Sequence, residues 1–277
     1  MLVIESGSRA VAQNKMHQGH LARKRFGQNF LHDEGIIHRI IMSIAPKPGQ
    51  HIVEIGPGLG ALTKEVLPLV GEMDAIELDR DLIVKLEQMA EGVGTLRLHS
   101  ADALKFDFNS LAKEGQQLRV FGNLPYNIST PLIFHLCAQG SLIKEMHFML
   151  QKEVVERMVS GPGSKRYGRL SVMVQYFCQV RCLFYVPARS FTPAPKVESA
   201  IVRLQPHRQK PYPAKQEKVF STLVTTAFNH RRKTMRNALR EMVDEQQLVD
   251  AGVNPDARPE TISLEQFVAI ANSIDLE

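Results

Sequence analysis

Cysteine is scarce in this sequence: Cys137, Cys178 and Cys182 are its only three, and all sit in apolar company. So few, and an odd number, argue against a disulfide framework or a cysteine metal cluster and for buried thiols in a reducing cytoplasm. Long apolar runs are missing too. No segment reaches the roughly 20 residues that a bilayer-crossing helix needs, so no membrane partner is expected. Met1–Ile4 is apolar, but Glu5 follows at once, and no secretory signal is expected. The ten histidines are scattered without paired ligand spacing, so no metal is expected either. Internal repeats and low-complexity tracts are absent.

What is present is ordinary globular material, 277 residues with 44% hydrophobic and 23% charged positions, enough for one large domain and a small one. The net charge of +5 is modest but unevenly spread. Between Pro206 and Arg240 nine Lys and Arg stand against Glu217 alone, and from Glu241 to Glu277 nine acids stand against Arg258 alone. A basic block beside an acidic one points to a localised polyanion contact. The first residues, with Arg9 and Lys15 against Glu5, read as a flexible basic arm over 1–19.

Strands and helices alternate after the arm. Ile36, Ile37, Ile40, Ile41 and Ile44 recur at helical spacing, and Pro46-Lys47-Pro48-Gly49 stops that helix. Strands are predicted over His51–Ile55, Met73–Leu78, Thr95–His99, Leu118–Phe121 and Glu145–Leu150. Helices are predicted between them over Ala61–Leu69, Asp81–Ala90 and Ser129–Cys137. The order predicts an α/β chain with a doubly wound, mostly parallel sheet whose ligands sit at the carboxyl ends of its strands. Helices over Glu153–Val159 and Leu170–Phe177, then strands over Val180–Val186 and Ala200–Leu204, complete the domain. Beyond the Pro206–Lys215 linker the tail is helical. Val219/Phe220, Leu223/Val224 and Ala227/Phe228 form one stripe, and Met235, Leu239 and Met242 the next, with Arg232, Arg236 and Arg240 at steps of four beside it. Ser263 with Gln266 reads as a capping box opening a last helix.

Four features fall at strand ends. Gly56-Pro57-Gly58-Leu59-Gly60 follows the first strand and lets the backbone approach a ligand closely, with helix N-terminal N–H groups aimed at it. Glu77 suits ribose hydroxyls, and Asp102 adds an acceptor where an adenine amine falls. These residues fit a dinucleotide as well as a nucleoside-containing methyl donor. Asn123-Leu124-Pro125-Tyr126, ending the fourth strand, separates the two. Pro125 holds Leu124 extended and has no N–H of its own. The Asn123 side-chain oxygen and the Leu124 carbonyl then form two acceptors facing one site, with the Tyr126 ring as a wall. Such a pocket suits a planar aromatic amine, and hydride transfer has no use for it. Taken alone, the tetrapeptide also reads as a strand-ending turn with a packed tyrosine, and Glu77 and Asp102 as solvated strand-end acids.

The segments Ala22–Leu31 (ARKRFGQNFL), Val53–Gly60 (VEIGPGLG), Ile76–Asp79 (IELD), Asn123–Thr130 (NLPYNIST), His147–Glu153 (HFMLQKE), Tyr167–Val172 (YGRLSV) and Phe191–Ser199 (FTPAPKVES) stand in the order of a known family. With them the chain resembles the bacterial small-subunit ribosomal RNA adenine dimethyltransferases from about residue 20 to its end. The resemblance implies a Rossmann-like S-adenosylmethionine-dependent methyltransferase sheet over 20–206 and a small C-terminal helical, RNA-binding domain over 207–277. It implies S-adenosyl-L-methionine as methyl donor and, as product, dimethylation of two adjacent adenosines in the hairpin near the 3′ end of small-subunit rRNA within the assembling 30S subunit. By position, Gln28, Asn29 and Leu31 close over the donor, Gly56 and Gly58 lie along its methionine part, Glu77 holds the ribose and Asp102 meets the adenine. Asn123 and Leu124 bind the target amine, and Tyr126 and Phe191 sandwich the base.

The RNA surface expected from charge combines Arg23, Lys24 and Arg25, the Lys165-Arg166 loop, and Arg231, Arg232, Lys233 and Arg236. Three other functions compete: a large-subunit rRNA adenine methyltransferase of the antibiotic-resistance type, a non-catalytic small-subunit assembly checkpoint, and a nicotinamide dehydrogenase. Relatives of the first typically carry Ile where Leu124 stands, and the dehydrogenase lacks any candidate for hydride chemistry. No long apolar surface stripe demands a dimer, so a monomer is expected.

Overall fold

A computed structural model describes residues 28–274 and, before them, the backbone of two short strands, β1 (Met16–His17) and β2 (His20–Leu21). The chain divides into two compact units. One runs to Lys152 and resumes over Cys182–Pro206; the other comprises Glu153–Arg181 and His207 onward. One division falls after Pro206, the first residue of the segment rich in Pro, Lys and Arg. Glu153–Arg181, which sequence alone left in the larger domain, groups with the tail.

The first unit is built on a sheet of β4 (His51–Ile55), β5 (Glu72–Glu77), β6 (Thr95–Ser100), β7 (Leu118–Asn123), β8 (Ile143–Gln151), β9 (Cys178–Val186) and β11 (Ser199–Pro206), in the order β6-β5-β4-β7-β8-β11-β9. β6, β5, β4, β7 and β8 run parallel, and β11 is antiparallel to β8. The expected doubly wound α/β sheet is therefore present. Strand order reverses between β4 and β7, so the crevice at the carboxyl ends of these two strands is the place for a ligand. Gly122 makes that junction possible: a Cβ there would lie 2.2 Å from the Ile55 carbonyl oxygen, so only glycine lets β7 pass β4 this closely.

Helices α1 (Glu34–Ile44), α2 (Thr63–Val70), α3 (Arg80–Ala90) and α4 (Ser129–Cys137) follow the sequence pattern. α1 buries Ile36, Ile37, Ile40 and Ile44 against Ile52, Met73, Phe121 and Met149 in the main core. Both ends of α1 are held. Asp33 caps its start by accepting from the Ile36 amide at 3.2 Å. Arg119, buried and paired with Glu145, donates to the Ile44 and Ala45 carbonyls at its end. Before α1, β3 (Phe30–Leu31) pairs antiparallel with β10 (Phe191–Thr192), so residues 28–33 form a strap fixed to a distant loop.

In the second unit, α5 (Lys152–Val159, entering from the first) and α6 (Arg169–Phe177) precede α7 (Glu217–Asn229), α8 (Met235–Ala238), α9 (Glu245–Asp250) and α10 (Leu264–Asn272). α7 buries Phe220, Leu223, Val224 and Ala227, as its stripe required. The Ser263–Gln266 capping box opens α10 with reciprocal bonds of 3.1 and 3.0 Å. The helix expected to carry Arg232, Arg236 and Arg240 on one face is absent. α7 ends at Asn229, a turn follows, and α8 lasts four residues, its first amides (Met235, Arg236) donating to the carbonyls of Ala257 and Pro255. That distant loop takes the donors a continuing helix would have used internally. No helix among the described residues is long and apolar enough to cross a membrane.

Candidate active site

A cavity of about 620 Å³ opens at the carboxyl ends of β4, β5 and β7. Gln28, Asn29, Leu31, Gly56, Gly58, Glu77, Asp102, Asn123, Leu124, Pro125 and Tyr126 all line it. Local stereochemistry explains their convergence. Gly56 and Gly58 take φ of +66° and +61°, which turns the chain sharply off β4. The Gly58 N–H then donates to Glu77 Oε2 at 3.1 Å, and the Asp79 N–H to Glu77 Oε1 at 2.8 Å. Glu77 is thus locked between the glycine loop and the start of α3. Burial pushes its carboxyl up, and these amides oppose the shift. A carboxylate has about four acceptor directions, so the two bonds leave capacity for a ligand's hydroxyls. Asp102 spends Oδ1 on the Leu104 amide at 3.0 Å.

The strap closes one side. Gln28 Nε2 donates to Asp79 Oδ2 at 3.0 Å, linking the strap to the α3 cap. Asn123 Nδ2 donates to the Asn29 carbonyl at 3.0 Å. The His32 amide reaches the Ser190 carbonyl at 3.0 Å, and Ser190 Oγ donates to Asp33 Oδ2 at 2.8 Å.

On the other side the Leu124 amide donates to the Met149 carbonyl at 3.2 Å, which seats the acceptor loop on β8. Tyr126 is held at its tip, its hydroxyl 2.7 Å from Ser199 Oγ, a fully buried group on β11. Burial pushes the phenol up, so it stays protonated.

Phe191 departs from the expected arrangement. It is 3% exposed, packs in the main core and does not line the cavity. Phe191 pairs with Leu31 in the β3–β10 ribbon, and both belong to the main core.

Sequence reasoning missed Glu54. It is 1% exposed, lines the cavity and accepts from Thr63 Oγ1 at 2.6 Å. Burial, together with the nearby Glu77 carboxylate, pushes it up to about 8. An acid in the otherwise apolar end of a strand running into the glycine turn was the available signal. Ser199 carried no signal, because its relation to Tyr126 spans 73 residues.

Of the basic residues, Arg23, Lys24 and Arg25 lie outside the described residues. In the second unit Lys165, Arg166, Arg231, Arg232, Lys233 and Arg236 are exposed. Arg166 pairs with Glu156 at 3.2 Å, and Arg236 with Glu245 at 3.2 Å and with Asp256. Arg236 of the basic block is therefore paired with two acids of the tail.

Among the described residues no group of three or more His, Cys, Asp or Glu is arranged to hold a metal ion. The family model for ribosomal RNA adenine dimethylase matches residues 19–276. The chain belongs to this family. Its methyltransferases use S-adenosyl-L-methionine. Curated relatives include the ribosomal RNA small subunit methyltransferase A of a Shewanella species, 55% identical over 94% of this chain and 97% of the relative. That of Marinobacter nauticus is 56% identical over 92% of each. Among solved structures, a dimethyladenosine transferase from Plasmodium falciparum superposes with TM-score 0.73 at 26% identity, covering 87% of this chain and 95% of that one. The 23S rRNA methyltransferase ErmE, at TM-score 0.71 and 23% identity over 90% of this chain and 100% of that one, shares the fold. The small-subunit reading is thereby favoured over the large-subunit, checkpoint and dehydrogenase alternatives, and the chain is a methyltransferase enzyme.

Proposed function

We propose that this dimethylase acts, as a monomer in the cytoplasm, on two adjacent adenosines in the 3′-terminal hairpin of small-subunit rRNA within the assembling 30S subunit. The observation carrying the site assignment is the bond from Asn123 Nδ2 to the Asn29 carbonyl. With its nitrogen committed, the Asn123 amide keeps Oδ1 as the acceptor for the cavity, beside the Leu124 carbonyl.

The residues present fit the methyl donor. Glu77 would hold the ribose hydroxyls, Asp102 the adenine, and Gly56 and Gly58 the methionine part, with Gln28, Asn29 and Leu31 over it. The donor supplies an activated methyl on a sulfonium whose charge is neutralised by transfer. An adenine amine is a poor nucleophile because its lone pair is delocalised into the ring. Asn123 and the Leu124 carbonyl accept its two hydrogens in the first transfer, one remaining for the second, and draw them out of plane, which localises the lone pair. This interaction strengthens toward the transition state and so accelerates the reaction. Each transfer breaks the S–CH3 bond, forms an N–CH3 bond and releases one amine proton to solvent. Tyr126 stacks on the extruded base and offsets part of its unstacking cost. Arg23, Lys24, Arg25, Lys165, Arg166, Arg232, Lys233 and Arg236 would meet phosphates.

The test is methyl transfer from labelled S-adenosyl-L-methionine to small subunits lacking the modification, with large subunits and free RNA as controls. Dimethyladenosine on small subunits alone supports the proposal. Label on large-subunit RNA, or tight subunit binding without label, overturns it.

A further inference from the structure

Two basic segments far apart in sequence meet in the second unit through one guanidinium. Arg231 NH2 donates to the Lys165 carbonyl at 2.8 Å, across 66 residues. Its Nε lies 3.6 Å from Glu260 Oε2, a buried oxygen with no hydrogen-bond partner among the described residues. The loop between α5 and α6 is laced to the same place by its backbone: the Gly163 N–H donates to the Glu260 carbonyl at 2.7 Å. Just beyond, Tyr167, almost fully buried, donates its hydroxyl to the Ile262 carbonyl at 2.9 Å. Between these two anchors Lys165 and Arg166 are exposed; Glu156 of α5 pairs with the Arg166 side chain at 3.2 Å, and Arg231 bonds the backbone of the loop's tip at the Lys165 carbonyl.

We propose that Arg231 serves RNA binding indirectly, as a brace that holds the Lys165-Arg166 loop against Glu260 so that this loop and Arg232-Lys233 present one phosphate-binding patch. Arg231 is then a positioning residue. Its planar fork reaches a carbonyl and a carboxylate at once, which a lysine ammonium on a flexible stem does not reproduce. Lys165, Arg232 and Lys233 form no ion pair among the described residues, whereas Arg231 is occupied within the protein. The proposal rests on the RNA-directed reading above, but the brace itself is testable without RNA.

Two measurements on the full chain decide it. In the first, trypsin is applied to the protein alone and cleavage after Lys165 and Arg166 is followed by mass spectrometry. Arg231→Ala and Arg231→Lys are both expected to speed this cleavage about tenfold, with Arg232→Ala as an unchanged control. In the second, affinity for a synthetic RNA hairpin is measured against salt. Arg232→Ala is expected to flatten the logarithmic salt dependence by about 0.9, the value of one duplex phosphate contact. Arg231→Lys, which keeps the charge, is expected to bind as weakly as Arg231→Ala. Adding Lys165→Ala and Arg166→Ala to Arg231→Ala is expected to weaken binding no further. A direct phosphate contact predicts the opposite: unchanged cleavage, substantial rescue by Arg231→Lys, and additive losses. That result overturns the brace. If Lys165→Ala with Arg166→Ala leaves RNA affinity intact while the wild type still methylates small subunits, the patch is refuted and the enzymatic reading stands. Failure of methyl transfer with accelerated cleavage refutes that reading instead.

Discussion

The side chain of Asn123 and the main chain of Asn29, 94 residues apart, are joined by a 3.0 Å hydrogen bond across the mouth of the cavity. The strap that lines the cavity therefore also sets which way the Asn123 amide faces. Because Gln28 of the same strap is tied to Asp79, whose amide is tied to Glu77, one chain of contacts runs from Glu77, proposed to hold the ribose, to Asn123, proposed to hold the amine. In the proposed assignment, donor and target sites are built as one object.

Asn123→Ala removes one acceptor of the clamp and leaves the RNA surface intact. Turnover is expected to fall by about 10²–10³, the scale of losing one preorganised polar group at a reacting centre. Affinity for small subunits is expected to change less than threefold. Single-turnover methyl transfer and subunit binding, measured on the same preparation, check this, and equal losses in both would sink the clamp.

Ser199 and Tyr126 should behave as a pair. Ser199→Ala and Tyr126→Phe each cut the 2.7 Å tether that fixes the ring. Each is expected to raise the KM for the RNA substrate severalfold, and the double variant to be no worse than either alone. Ser199→Thr keeps the hydroxyl and should restore part of the loss. Additive effects would mean that the two groups act separately.

Glu54 makes stability depend on pH. Its carboxyl is raised from the ordinary carboxylate range to about 8 by burial, with Glu77 adding to the shift. The folded protein therefore holds a proton that the unfolded chain gives up near pH 4.5. The stabilisation is complete below that pH and is lost as pH rises through about 8. Melting curves of ligand-free wild type and Glu54→Gln from pH 5 to 9 should converge at the acid end. At the alkaline end the variant should gain on wild type by several degrees, a few kcal/mol at most. Parallel curves would show that Glu54 does not titrate in this range.

Gly122→Ala places a methyl 2.2 Å from the Ile55 carbonyl oxygen, where the facing atom is backbone and cannot swing aside. A loss of about 1–3 kcal/mol is expected, as for overpacked cores. Because the strain lies where β4 and β7 deliver the glycine turn and the acceptor loop, donor affinity should fall too. Thermal melts and titration with S-adenosyl-L-methionine check both, and an unperturbed melt would refute the close approach.

The alternation of strands and helices, the glycine turn after β4 and the loop after β7 could be read along the chain, because each rests on local stereochemistry. Apolar residues repeat at the period of their element, Gly56 and Gly58 supply the positive φ, and Pro125 limits the residue before it. Strand ends then converge by the rule of parallel sheets, so Glu77, Asp102 and Asn123 were placed at one crevice by order alone. Relations between distant segments were not readable. The Asn29 carbonyl that orients Asn123, the Ser199 hydroxyl that holds Tyr126, the burial that raises Glu54 and the core position of Phe191 all depend on which surfaces meet after folding. The tail shows the same limit. Arg232, Arg236 and Arg240 keep helical spacing, yet the chain breaks between Asn229 and Met235 because carbonyls of the loop at 255–257 take the amides of the next turn. Periodicity reports what an isolated segment prefers, and a hydrogen-bond partner brought in from about 20 residues away overrides it.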